Sequence, residues 1–153
     1  MLLDRESASR PEPPRTDVRP DRDDVGWRVS AEDALDCARL RRAFRHYLEA
    51  LGHPGSDFDA AETAYGELIA NCVRHAPGPL TVEFRWSDAT LTVTDRCERL
   101  WHWPFSADDV RAEQTHHSFA ILRALCGRLH LRRIPEGGTR ACVVLPVLRA
   151  SAA

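Results

Sequence analysis

Apolar and polar residues follow two different periods along this chain. Apolar residues recur at helical spacing in three segments, near residues 35–51, 59–76 and 119–129. They alternate with polar residues in five shorter segments, which predict strands near 25–29, 80–86, 91–93, 129–134 and 139–146. The order β, α, α, β, β, α, β, β predicts an α+β fold, with the helices gathered on one face of a mixed, mostly antiparallel sheet.

Short polar sequences predict where two of the helices begin. Ser30 with Asp33 resembles a helix start, in which the side chain of Ser30 accepts a hydrogen bond from an early backbone N–H. Asp59 with Glu62 predicts a second capping box of the same kind. Residues 96–115 follow neither period, so they are expected to be irregular.

The first 24 residues differ in composition from the rest of the chain. Residues 1–24 are rich in Arg, Asp, Glu and Pro and carry almost no apolar side chain after Leu3, which predicts a disordered tail. Residues 25–149 are then expected to form one domain, in keeping with a total of 153 residues.

Charge and hydropathy narrow the classes of partner. The formal net charge of −2 argues against direct binding of nucleic acid or of an anionic membrane surface. Neither a membrane-spanning apolar run nor the apolar core of a signal peptide is present, so a cytoplasmic location is expected. The five cysteines include no C-x-x-C pair and are expected to be reduced thiols.

Candidate chemistry first appears on the second predicted helix. Glu67 and Asn71 are four residues apart and share a face, which Thr63 and Arg74 flank. That face lies opposite the apolar stripe. By spacing alone, it is expected to be an ordinary solvated face.

Four segments together point to a known family. The sequence ETAYGELIANCVRHA (62–76) resembles the N-box of the GHKL superfamily, most closely in its anti-sigma-factor serine kinases. The later segments resemble, in the expected order, the strand with the adenine-binding Asp (LTVTD, 91–95), the helix and strand after the glycine box (118–133), and the closing hairpin (137–146). The resemblance covers most of residues 25–146. It implies a two-layer α/β sandwich of the Bergerat type, that is, a histidine-kinase-like ATPase domain that binds ATP and Mg²⁺.

The resemblance also implies roles for four residues. Asn71 matches the Asn that holds Mg²⁺ against the phosphates of ATP, and its carbonyl oxygen suits a hard cation. Glu67 matches the general base that takes a proton from the attacking hydroxyl or water. Asp95 matches the carboxylate that accepts from the adenine amine, and Thr139 matches the hydroxyl that supports this contact.

Glycines that the family uses are replaced in this chain. Cys97 occupies the glycine position of the adenine motif, and the stretch that begins at His116 replaces the glycine-rich phosphate loop. Side chains at these positions narrow the approach of backbone N–H groups to phosphate. The interpretation is that a helix N-terminus remains there and that His116 or Ser118 donates to phosphate instead.

The segment between these motifs is unusual for the family, because residues 100–105 place Trp101 and Trp103 where a glycine-rich lid is expected. Three interpretations stay open: local packing over a sheet edge, an exposed aromatic surface that anchors a partner, or an indole that fills the adenine pocket. A zinc site beside the pocket is a further hypothesis, and its ligands would be Cys97, His102, His116 and His117.

Three functions follow from the resemblance. The first is an ATP-binding regulatory protein, if active a serine/threonine kinase, that controls transcription by binding a sigma factor or a small anti-anti-sigma protein. The alternative is a pseudokinase, a protein-binding module that works without nucleotide. The ATPase half of a histidine kinase ranks last, because no dimerisation helix with a phospho-acceptor His precedes the domain. A homodimer is expected by analogy with the family.

Overall fold

A computed structural model describes residues 16–18, 24–75, 78–96 and 110–151 of the chain. These residues contain three helices and six strands. The bounds are β1 (Thr16–Val18), β2 (Val25–Ser30), α1 (Ala34–Leu51), α2 (Phe58–His75), β3 (Pro79–Arg85), β4 (Thr90–Thr94), α3 (Val110–Cys126), β5 (Leu129–Arg133) and β6 (Thr139–Val144). The predicted α+β class is confirmed. Strand β1 is an addition, since it lies within the stretch predicted to be a disordered tail.

The six strands form one sheet in the order β1-β2-β3-β4-β6-β5. Each neighbouring pair is antiparallel. In the middle of the sheet, Val82 lies opposite both Trp27 and Val93, and Val93 lies opposite Ala141. These four side chains are buried, so this face of the sheet forms the floor of the core.

Aromatic side chains join the first helix to this floor. Phe44 of α1 is fully buried and meets Trp27 and Phe84 edge to face, at centroid distances of 5.9 and 5.8 Å. The indole Nε1 of Trp86 donates to the hydroxyl of Tyr47 at 3.0 Å, so the polar atom of this buried indole has a partner. The apolar stripes of the helices therefore face the sheet, as the helical spacing predicts.

The helices begin at other residues than predicted. The carboxylate of Asp33 accepts from the backbone N–H of Asp36 at 3.0 Å and caps α1, whereas Ser30 is still part of β2. The carboxylate of Asp57 caps α2 by accepting from the N–H of Ala60 at 2.9 Å. The predicted hydrogen bond to Oγ of Ser30 is present, from the N–H of Glu32 at 3.3 Å, but Ser30 is not the N-cap of α1 and Asp59 is not the N-cap of α2, so these two N-cap assignments were wrong. An N-cap must immediately precede the first helical residue, and Asp59 lies inside the first turn, where its carboxylate pairs with an arginine of α1.

The two acidic residues at the start of α2 are expected to differ in their effect on stability. Asp57→Ala removes the acceptor of an otherwise unpaired N–H and should lower the free energy of unfolding by about 1 kcal/mol. Asp59→Ala removes only an exposed ion pair with Arg45, and it should change stability little. Urea denaturation of the two variants checks this. An equal loss in both would contradict the assignment of Asp57 as the cap.

The third helix begins earlier than predicted. Residues 110–115 are helical, although the sequence predicts an irregular segment over 96–115. The inward side chains of α3 are Thr115, Ser118, Phe119 and Leu122, and all four are buried. Their spacing is that of one helix face, but the first two are polar, so the apolar period is visible only from Phe119 onward. The Trp-rich segment 100–105 lies outside the described residues.

The structure bears on two further predictions, the absence of a membrane-spanning helix and the reduced state of the cysteines. Among the described residues, no helix is long and apolar enough to cross a membrane. Four of the five cysteines lie in the described part of the chain, and none of these four is joined to another by a disulfide. Burial raises the pKa of the Cys126 thiol to about 11, which keeps it protonated at neutral pH.

Candidate functional site

The predicted site residues come from four elements that meet beside the core. Asn71 lies on α2, Asp95 directly after β4, Ser118 on α3 and Thr139 at the start of β6. Each of the four is at most 1% exposed. Buried polar side chains require partners, and the partners show what the site can do.

Asn71 is buried, although its spacing predicts a solvated helix face. Helix α3 packs against this face of α2 and covers it. The side-chain Nδ2 of Asn71 donates to Oγ of Ser118 at 3.0 Å, and Oδ1 accepts from the guanidinium of Arg74. Both ends of the carboxamide therefore have protein partners.

Arg74 brings a positive charge to this contact. Burial lowers the pKa of the guanidinium, and the nearby Glu67 carboxylate opposes that shift. Nε of Arg74 is shielded from solvent, and no atom in the described ranges accepts a hydrogen bond from it. The positive charge of the guanidinium remains, because arginine is not deprotonated in proteins.

A second polar contact joins the same two helices one turn away. Nε2 of His75 lies 2.7 Å from Oγ1 of Thr115, which is fully buried. We refer to Asn71, Arg74, His75, Thr115 and Ser118 together as the α2–α3 polar seam. The sequence analysis missed Thr115 as a member. The available signal was its position four residues before Phe119, on the same face of a helix.

Asp95 is held between a helix and a hairpin. Its Oδ1 accepts from the backbone N–H of Thr139 at 3.2 Å, and its Oδ2 lies 3.8 Å from Sγ of Cys72. Its own N–H donates to the carbonyl of Thr139 at 2.9 Å. The structure thus brings Asp95 and Thr139 together, as the family resemblance implies. Both of these hydrogen bonds involve the backbone of Thr139.

The predicted phosphate-binding helix terminus does not occur at His116–Ser118. Because α3 begins at Val110, residues 116–118 lie in the interior of a helix. Only the first four N–H groups of a helix lack an intrahelical acceptor, so the N–H groups at 116–118 are used within the helix. Ser118 is buried against Asn71, while His116 is exposed on the surface of α3. The helix N-terminus predicted at these residues was therefore wrong, whereas donation to phosphate by the side chains of His116 and Ser118 stays a prediction.

Glu67 lies one turn before Asn71 and is half-exposed. It acts electrostatically on Arg74, and that interaction ties it to the seam. The contacts of the described residues place no hydroxyl or phosphate position beside its carboxylate. The base role remains a prediction.

Two of the four ligands in the zinc hypothesis belong to the residues that the structure describes, and two do not. Cys97 and His102 lie outside the described residues, whereas His116 and His117 are both exposed on α3. Within the ranges that the structure describes, no group of three or more His, Cys, Asp or Glu is placed to hold a metal ion.

Comparisons with known proteins do not supply a function. No protein-family model matches the chain, and no curated protein matches it. The basis for a functional assignment is therefore the geometry of the α2–α3 polar seam and of Asp95, together with the sequence motifs.

Proposed function

We propose that this chain is a regulatory protein of the anti-sigma-factor serine-kinase type that binds a protein partner without transferring phosphate. The partner is a sigma factor or its small antagonist, and the outcome is control of transcription. The observation that carries the proposal is the carboxamide of Asn71, whose two polar atoms are engaged by Arg74 and Ser118. This arrangement favours the pseudokinase over an active kinase.

The magnesium end of an ATP site does not fit these residues. Oδ1 of Asn71 is the atom that would ligate Mg²⁺, and the guanidinium of Arg74 donates to it. A second cation on the same buried oxygen would be repelled, since charges interact strongly where water is excluded. The interior position of residues 116–118 within α3 also removes the backbone donors that would hold the phosphates.

The adenine end fits better, and it favours a second candidate function. Asp95 is a buried carboxylate at the end of β4, aligned by Thr139 of the neighbouring strand. A carboxylate in this position can accept from an exocyclic amine. The second candidate is therefore a protein that binds ATP as a regulatory ligand through Asp95, with Glu67 retained as a base.

Calorimetric titration with ATP and Mg²⁺ separates these two candidates. We expect no saturable heat up to millimolar ATP for the wild-type chain, because neither Mg²⁺ nor the phosphates have unengaged ligands in the seam. Asp95→Asn, which keeps the size of the side chain, serves as the control. Micromolar binding that needs Mg²⁺ and is lost in Asp95→Asn would contradict the proposal and establish the second candidate.

The partner-binding half of the proposal has its own test. Purified sigma factors and small antagonists from the same source are mixed with the chain, with and without ATP, and complexes are separated by gel filtration. We expect a complex that forms equally well in both conditions, with no phosphate transferred to the antagonist. A complex that forms only with ATP, or labelling of an antagonist serine by radioactive ATP, would show that the chain is not a pseudokinase.

A further inference from the structure

The face of the sheet that points away from the helices carries a row of arginines. Strand register places Arg28 opposite Thr81, Thr81 opposite Thr94, and Thr94 opposite Arg140. On the last strand, Arg132 lies opposite Arg140. Directly paired residues of antiparallel strands project to the same face, so these five side chains form one line across five strands. We call this line the arginine row.

The arginine row lies on the side opposite the core. Trp27, Val82, Val93 and Ala141 are the sequence neighbours of its members, and all four are buried beneath the helices. Successive residues of a strand point to opposite faces, so the row faces outward. Arg28 and Arg132 are exposed, while Arg140 is half-buried.

The positive charge of this face is concentrated toward β6 and β5. The next line of paired residues runs through Asp17, Gly26, Glu83, Thr92, Cys142 and His130, and its two acidic positions lie on β1 and β3, away from Arg140 and Arg132. None of the three arginines in the row forms an ion pair with an acidic group in the described part of the chain. A chain whose formal net charge is −2 thus presents a basic strip on its sheet.

Arg140 carries a charge that its surroundings do not fully compensate. Its Nε is shielded from solvent and has no hydrogen-bond acceptor among the residues that the structure describes. A shielded donor without an acceptor is destabilising, and charged donors are the most costly to leave unpaired. An anionic group held against the outward side of the Arg140 guanidinium would offset part of this cost through its charge, without a hydrogen bond to the shielded Nε.

We propose that the arginine row is the docking surface for an acidic segment of a partner protein. This inference rests on the proposed function as a protein-binding module, and it adds the surface and the chemistry of the partner. Carboxylates pair with guanidinium groups in a bidentate geometry, and the hydroxyls of Thr81 and Thr94 between the arginines offer further donors to the same carboxylates.

The spacing of the row defines the acidic segment. Neighbouring strands lie about 4.8 Å apart, so Arg28 and Arg140, three strands apart, are separated by roughly 14 Å, and Arg132 lies roughly 5 Å beyond. An extended chain rises about 3.3 Å per residue, so a segment that crosses the strands spans the first gap in about four residues. Acidic residues at that separation match the row.

The charge pattern favours an acidic protein over nucleic acid. Nucleic-acid surfaces combine many phosphate contacts with an overall basic domain, and single-strand binders add exposed aromatic rings for stacking. Here the domain is not basic overall, and Glu83 lies next to the row. The described positions on these two lines carry threonine, arginine, glutamate, aspartate, cysteine, histidine and glycine, and no aromatic ring of the Phe, Tyr or Trp type.

Fluorescence anisotropy with a labelled deca-glutamate peptide at low ionic strength tests the proposal. The full chain is compared with the double variant Arg132→Gln/Arg140→Gln and with the charge-matched control Arg42→Gln/Arg123→Gln, whose residues are exposed on α1 and α3. We expect the row variant to weaken binding roughly tenfold and the control to change it less than about twofold, because two charge-assisted contacts are lost only in the first. Arg28→Gln, at an exposed position, repeats the test if the double variant melts early.

Several results would overturn the inference. These are the absence of peptide binding by the wild-type chain, equal weakening in the row variant and the control, and stronger row-dependent binding of a labelled ten-nucleotide single strand. Sedimentation that shows wild-type dimers and monomeric row variants would instead assign the row to a second copy of the chain. None of these results bears on the ATP titration, so failure of the arginine row and failure of the proposed function can be told apart.

Discussion

Replacing Gly138 with alanine is expected to lower the free energy of unfolding by about 3 kcal/mol or more. Gly138 has a φ of +121°, which L side chains rarely adopt. An added Cβ would also lie 2.1 Å from the backbone carbonyl oxygen of Asp95. The strained φ and the steric overlap both destabilise the variant. The overlap cannot be relieved by a side-chain rotation, because the carbonyl oxygen of Asp95 belongs to the backbone.

The neighbouring glycine is the matched control. Gly137 has a φ of +91°, but beyond its two chain neighbours no atom of the described residues lies within 4 Å of the Cβ that alanine would add. Gly137→Ala should therefore lower the free energy of unfolding only by the cost of placing alanine at a positive φ, about 1 kcal/mol. Urea denaturation followed by circular dichroism measures both variants. Equal losses would mean that the close approach to Asp95 contributes nothing.

Gly138→Ala is expected to disturb the geometry around Asp95 as well as the stability of the whole domain. Gly138 immediately precedes Thr139, whose N–H donates to the Asp95 carboxylate. A shift of this turn moves the donor that aligns the carboxylate. If Asp95 takes part in ligand binding, a folded fraction of Gly138→Ala at low temperature should bind more weakly than the wild-type chain.

Replacing Asn71 with alanine is the second change with a large expected effect, a loss of about 2–3 kcal/mol in the free energy of unfolding. The variant leaves the hydroxyl of Ser118 without its donor and the guanidinium of Arg74 without its acceptor, both at the contact between α2 and α3. Buried polar groups that lose a partner cost more than the net value of the hydrogen bond.

Val73→Ala is the control for this prediction. Val73 lies on the same helix, two residues from Asn71, and is also replaced by alanine. Val73 is 48% exposed, and alanine is the better helix former, so its stability should change by less than about 0.5 kcal/mol. Thermal and urea unfolding of both variants provide the comparison. A small loss in Asn71→Ala would contradict the structural role of the seam, and would leave Asn71 available as the magnesium ligand that the family resemblance implies.

Most helices and strands were predictable, because each depends on the spacing of apolar residues within a short stretch of sequence. Alternation placed β3 and β4 on either side of the turn at 86–89, and the core residues Val82 and Val93 were among the alternating apolar ones. Helix α2 was predicted to end near Ala76, and its described residues end at His75. Helix starts were less predictable, since Asp57 and Asp59 are equally good capping residues and only the backbone geometry decides which one precedes the helix.

The sequence predicted which residues lie near one another in the candidate site better than it predicted what surrounds them. Motif order led to Asn71, Asp95, Ser118 and Thr139, and the structure brings all four to the region where the helices meet the ends of β4 and β6. Helical spacing alone predicted a solvated Asn71, and the motif predicted a helix N-terminus at 116–118; the structure shows Asn71 buried and residues 116–118 inside a helix.

The sequence by itself determined the α+β class, most of the elements and the inward side of each, because hydrophobic period and secondary structure share the same geometry. Only the tertiary structure decided that the polar face of α2 is buried, because burial there depends on α3, which is more than 30 residues distant and carries Thr115 and Ser118 at inward positions. The arginine row also needed the tertiary structure. Arg28, Arg132 and Arg140 form a line only through strand register, which sequence spacing does not encode.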